Sequence, residues 1–167
     1  MKTIEDLTIY FGKYLSNPEF EKFREENLIN PTKYNSLDLF IRCKSSKMEL
    51  CFTNERELRE IDADKLLKGG KPIFTHFFIY PTKEINFEKL PYGVTFKDDL
   101  REIERKCGEP SENKRIHNKI FGNITRLFYQ NGNLKIDFTI DMDKDKLTQI
   151  CVGQVKKQIT ENNELSK

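Results

Sequence analysis

Asp141, Asp143 and Asp145 stand at alternate positions, the spacing of the first three ligands of a calcium-binding loop. The likeness ends at the next requirement. The sixth position, where the loop needs glycine for a sharp turn, holds Lys146, and the twelfth, which should supply a bidentate glutamate, holds Val152. Three carboxylates in this setting fit a solvated turn between strands. Gly69-Gly70-Lys71 has the ending of a phosphate loop, but Lys65 takes the place of its first glycine and Pro72 the place of its Ser or Thr. His76 lies in an aromatic run and His117 in a polar one, neither with a second His or a Glu at metal-ligand spacing, so His76 reads as a hydrogen-bonded structural histidine. Cys43, Cys51, Cys107 and Cys151 form no CxxC pair, and nothing marks a base or oxyanion site beside any of them. These residues predict no catalysis, no metal and no cofactor.

Binding without chemistry is the remaining use of such groups. Glu55, Glu57, Glu60, Asp62 and Asp64 form one acidic cluster, and Asp141, Asp143 and Asp145 form another. A charge run is usually a solvated surface, but carboxylates on a stable scaffold also suit a basic protein partner and speed its association. The aromatic run around Phe74, His76, Phe78 and Tyr80 is a second candidate, if one face of its strand exceeds what the helices cover. Glu55, Glu57, Asp62, Asp64, Asp141, Asp143, Asp145, Phe74 and His76 are therefore the expected partner-binding residues.

With 29 basic and 27 acidic residues among 167, the net charge of +2 leaves little long-range field, and no Lys/Arg stripe follows a phosphate backbone. Nucleic acid is excluded as the expected direct ligand. The cysteines sit in apolar patterns, which suits reduced thiols and the cytoplasm. The first residues, MKTIEDLTIYFG, lack the apolar run of a signal or anchor, and no window approaches the roughly 20 apolar residues of a membrane span. Thirteen Phe and six Tyr build the core from large side chains, on strands as readily as on helices.

The elements that must hold these groups follow from periodicity. Thr3-x-x-Asp6 opens an amphipathic helix with Ile4, Leu7, Phe11 and Leu15 on one face; Ser16 caps a second with Pro18 in its first turn. Alternation from Leu37 to Cys43 and from Met48 to Thr53 predicts a hairpin, and residues 54–71 an excursion with one helical turn. Ile73 to Tyr80 is apolar on both faces, as in a central strand. Thr95 and Asp98 form a capping box for a helix from about Phe96 to Cys107, stopped by Gly108 and Pro110. Ser111 to Gly122 reads as a polar connection whose Ile116, Ile120 and Phe121 leave room for a short ordered segment. Strands follow at 124–129, 134–140 and 147–152, with Asn131-Gly132 as the hairpin turn.

The two halves run in the same order, and Thr3 to Pro18 matches Thr95 to Pro110 in length and helix start. The expected fold is α+β: two tandem helix-plus-antiparallel-meander units, 1–88 and 89–155, sharing one sheet with helices on one face. They form a single domain followed by a polar tail, 156–167. The phrase Leu90-Pro91-Tyr92-Gly93-Val94-Thr95-Phe96, then a helix, then Gly108-Glu109-Pro110, resembles the "LPxGLTF … LGxP" phrase of immunity proteins from bacterial polymorphic toxin and contact-dependent inhibition systems. It departs at Val94 and Cys107, where Leu is usual. More distantly the pattern is similar to β-lactamase inhibitor proteins and small outer-membrane assembly lipoproteins. The resemblance implies a non-catalytic cytoplasmic protein that binds a cognate toxin domain, such as a basic nuclease, and blocks its active site or an essential surface. A non-catalytic scaffold on the same fold and an enzyme with an unrecognised site are the alternatives, the latter marked by a pocket with convergent polar groups.

Overall fold

A computed structural model describes residues 4–31, 40–44, 48–58, 70–81, 89–119 and 122–154. Among the described residues eight strands form one antiparallel sheet: β1 (Asn30–Pro31), β2 (Phe40–Lys44), β3 (Met48–Asn54), β4 (Pro72–Ile79), β5 (Glu112–Asn118), β6 (Gly122–Asn131), β7 (Leu134–Asp141) and β8 (Lys146–Gln154). Their spatial order is β1-β2-β3-β4-β8-β7-β6-β5, so two meanders in chain order meet where β4 pairs with β8. The helices are α1 (Glu5–Thr8), α2 (Pro18–Glu26), the single turn α3 (Glu55–Leu58) and α4 (Leu100–Cys107). The chain is α+β, and among the described residues no helix is long and apolar enough to cross a membrane.

One face of the sheet carries the main core. Leu7, Phe11, Phe20 and Ile103 from the helical segments join Leu50, Phe52, Phe74, Phe77, Leu127, Phe138, Ile150 and Val152 in a single apolar cluster. Within it the Phe20 ring lies 4.9 Å from Phe74 and 5.6 Å from Phe52, ordinary tilted aromatic packing.

The helices differ from the expectation in their starts. Thr3 lies outside the described residues; α1 is only Glu5–Thr8, with Ile4 at its cap position and no side-chain cap bond. After it the chain turns at Gly12 (φ 82°) and runs beside β4, Gly12 N–H donating to the Phe74 carbonyl at 3.0 Å and Leu15 N–H to that of Pro72 at 2.9 Å. These bonds serve a stretch of β4 where β8 no longer pairs, which is why the periodic Phe11 and Leu15 are buried without being helical. Asn17, not Ser16, caps α2, accepting from Phe20 N–H at 3.1 Å. The Thr95–Asp98 box forms, with Thr95 N–H and hydroxyl both donating to the Asp98 carboxylate at 2.8 Å, yet α4 begins later, at Leu100, with Asp99 as its cap. Lys106, a full two turns on, pairs with Asp98 at 2.7 Å and so anchors the box to the helix it precedes.

Ser111 to Gly122 is not simply a connection: β5 runs from Glu112 to Asn118 as an edge strand along β6. The hairpin turn between β6 and β7 is Gly132-Asn133, one residue later than expected, led by Gly132 at φ 56°. The tail, 156–167, lies outside the described residues.

Candidate functional site

Alternation along the strands leaves a second sheet face, opposite the main core. Direct cross-strand partners point to the same side of a sheet, so the register assembles this face. One row crosses six strands: Glu112 on β5, Phe128 on β6, Asp137 on β7, Cys151 on β8, Phe78 on β4 and Glu49 on β3. Lys114, Arg126, Thr139 and Gln149 flank it on one side; Lys135, Gly153, His76 and Cys51 flank it on the other.

A β-bulge decides which aromatic residues of β4 reach this face. Cys51 pairs with His76 but its neighbour Phe52 pairs with Phe74, so Thr75 is the extra residue. The alternation therefore slips. Phe74, Phe77 and Ile79 point into the main core, while His76, Phe78 and Tyr80 lie on the second face. Phe74 is fully buried and cannot meet a partner, contrary to its expected role. The bulge is held by Thr75, whose hydroxyl lies 3.0 Å from that of Thr53, 3.3 Å from the Cys51 carbonyl and 2.9 Å from His76 Nδ1.

Beside the bulge, Gly153 allows β8 to come close. A Cβ there would lie 3.1 Å from His76 Cβ and 3.4 Å from the Thr75 carbonyl oxygen, tight for any side chain. The space a side chain would have filled opens instead into a depression of about 300 Å³ whose lining includes His76, Arg126, Phe128, Lys135, Asp137 and Gln154.

The charges around it are arranged about one ring. Arg126, Lys114 and Lys135 lie 5.0, 5.3 and 5.1 Å from the Phe128 centroid. Arg126 is also bound to Asp137 through Nη2 and through Nε, the latter at 3.0 Å from Oδ2. Lys114 pairs with Glu112 at 2.9 Å. Burial pushes the Asp137 carboxyl above its usual range against the pull of Arg126, whereas its bond to Asp137 holds the Arg126 guanidinium more firmly protonated. Burial, then the Asp137 charge beside it, pushes the Cys151 thiol far up. A thiol so held is a poor nucleophile despite the polar groups converging near it. Phe128, Asp137 and Glu49 are themselves buried, so what the arrangement offers a partner is its more accessible members, Glu112, Phe78, Arg126 and Lys135, about a concave centre.

The acidic candidates are dispersed. Glu55 is half-buried and accepts from the Tyr14 hydroxyl at 3.0 Å; Glu57 is exposed; Asp62 and Asp64 lie outside the described residues. Asp141 is buried, accepting from Asp143 and Lys144 N–H at 3.0 and 3.1 Å and from Lys144 Nζ at 2.7 Å. Asp143 accepts from Asn123 N–H and Nδ2 at 3.1 and 2.9 Å, and Asp145 takes φ 47°. These carboxylates build the turn. The bonds from Lys144 and Asn123 hold the carboxyls of Asp141 and Asp143, respectively, below their usual range. The two acidic corners also lie at opposite ends of the strands, since β4 begins at Pro72 beyond the Gly153 end of β8, while the 141–145 turn leads into the Lys146 end. At about 3.3 Å per residue they are roughly 30 Å apart, too far to act as one patch.

Of the expected residues only His76 belongs to the depression. Arg126, Phe128, Lys135, Asp137 and Gly153 were not foreseen. The alternation of Ile136 and Phe138 around Asp137 was the available signal, because it places a carboxylate on the face away from the core. No protein family, curated protein or solved structure matches the chain.

Proposed function

We propose that this chain is an immunity protein that binds a cognate toxin domain in the cytoplasm and covers its active site or an essential surface with the second face of the sheet. The observation that carries the reading is the six-strand row from Glu112 to Glu49, which sets aromatic, thiol and charged side chains edge to edge on a rigid backbone. Five gaps at about 4.8 Å make it roughly 24 Å wide. A standard interface of about 800 Å² per partner is a patch of similar width. The LPYGVTF phrase supports the reading by its resemblance to the phrase of immunity proteins, and its residues serve the scaffold: Tyr92, at φ 56° in the turn, packs tilted with its ring 5.7 Å from that of Tyr129, whose hydroxyl donates to the Gly108 carbonyl at 3.2 Å.

The same reading takes the two meanders as copies of one helix-plus-meander unit joined at β4 and β8. In its favour, each meander follows a helical segment, and the acidic connections β3–β4 and β7–β8 occupy equivalent places. The sheet surface rather than the acidic corners is the proposed interface, because Asp141 and Asp143 are engaged within their own turn. A basic nuclease would then have to be met by more than carboxylates.

The test is co-expression with the product of the gene immediately upstream. The wild-type chain protects the cells, and Phe78→Arg, a change on the second face, removes protection while the purified variant keeps its unfolding midpoint. A lone gene, absent protection, or full protection by Phe78→Arg contradicts the proposal.

A further inference from the structure

We infer that the depression at Gly153 is an anchor subsite for an acidic side chain of the protein partner. The inference rests on the reading of this face as a protein-binding surface and names the chemistry at its centre. Three cations surround Phe128, and two carboxylates answer them: Glu112 takes Lys114 and Asp137 takes Arg126. Lys135 is left, exposed on the rim, with no carboxylate within ion-pair distance among the described residues. An added carboxylate can reach Lys135 Nζ and the outer edge of Arg126, whose side chain is 37% exposed, without displacing Asp137.

Gly153 provides the room, since any side chain there would meet the His76 and Thr75 wall. A carboxylate on a short apolar stem, able to enter the depression between Lys135 and Arg126, is what an aspartate or glutamate on a partner loop presents. A basic side chain fits worse: it would have to draw Asp137 away from Arg126 and would meet Lys135.

The experiment uses the full chain, labelled with ¹⁵N, titrated with three capped tripeptides: acetyl-Gly-Glu-Gly-amide and its Gln and Lys counterparts. The expected result is saturable shifts at Lys135, Gly153 and Gln154 with the Glu peptide, with a Kd of about 1–10 mM as befits one side chain. Lys135→Met should weaken that binding about tenfold, and Lys114→Met, whose cation is already paired, should leave it within about twofold. Equal binding of the Gln peptide, preference for the Lys peptide, no saturable shifts from any of the three, or indifference to Lys135→Met each overturns the subsite. No toxin is needed, so the outcome is separable from the immunity reading. If cells are protected but the peptides do not bind, only the subsite fails; if the Glu peptide binds but no neighbouring toxin is neutralised, only the immunity reading fails.

Discussion

Replacing Arg126 by Met should reveal how the second face holds its charge. Asp137 is 5% exposed at its side chain and is held by two nitrogens of Arg126, so the variant leaves a buried carboxylate without its counter-ion. Breaking a buried pair in this way typically costs about 3–5 kcal/mol. Arg126 is itself 37% exposed, so solvent screens part of the interaction and the low end, about 3 kcal/mol at neutral pH, is expected. The pH dependence has a definite sign. Burial raises the folded Asp137 carboxyl above the ordinary value of 3.8, and a carboxyl so raised favours the fold only while protonated; that contribution is complete below 3.8 and lost as pH rises through the folded value. Without Arg126 the folded value rises further. The penalty of Arg126→Met should therefore be largest near neutrality and shrink towards pH 4, where a protonated Asp137 lacks only about one hydrogen bond, about 1 kcal/mol. Adding Asp137→Leu should recover most of the loss, because an apolar pair of similar volume needs no counter-ion. Urea unfolding at both pH values measures this. A penalty below about 0.5 kcal/mol, or one independent of pH, would refute the assignment of Asp137 as a buried, Arg-dependent carboxylate.

Three other changes test the scaffold. Leu28 sits just past α2 at φ 54° and is 77% exposed, so Leu28→Gly should stabilise by about 0.5–1 kcal/mol; an unchanged or lower urea midpoint contradicts the strain. Gly122→Ala places a Cβ 2.4 Å from Asp143 Oδ2 at φ 73°, and should cost about 1–3 kcal/mol and loosen the corner, seen as faster amide exchange at Asn123. Asp98→Ala removes the Lys106 pair and the Thr95 bonds, about 2–3 kcal/mol. Burial opposes ionisation of Asp98, but those bonds outweigh it and hold its carboxyl below 3.8, so its contribution is present above that value and is lost as pH falls through the folded one; the gap between wild type and variant should close in acid.

Much of the fold was legible because large side chains keep strict period in it. Leu134 to Ile140 alternates as a half-buried strand must, and Ile73 to Tyr80 proved central. The misses have separate physical causes. β5, reading Glu-Asn-Lys-Arg-Ile-His-Asn, is an exposed edge strand whose pairing is carried by backbone bonds, so no apolar period announces it. α1 keeps a helical spacing of buried residues past Thr8 although Gly12 has turned the chain along β4, because burial alone does not distinguish the two paths. At Asp98 and Asp99 two acceptors compete for helix caps, and the local signal at Thr95 cannot tell which one starts the helix. The site depended on long-range register. Phe128, Asp137 and Cys151 are neighbours only through β6, β7 and β8, and Phe74 left the expected surface because of one bulge at Thr75.

The central claim, that the second face of the sheet is the surface that captures a toxin domain, is most directly tested by calorimetric titration of the upstream gene's product into the wild type, Phe78→Arg and Glu57→Lys. The account predicts that Phe78→Arg, on β4 within the six-strand row, weakens binding by about 30-fold or more, the loss of an aromatic anchor, and that Glu57→Lys, on the acidic corner, changes it less than about threefold. Tight binding that survives Phe78→Arg but is lost with Glu57→Lys would place the interface on the acidic corner and contradict it.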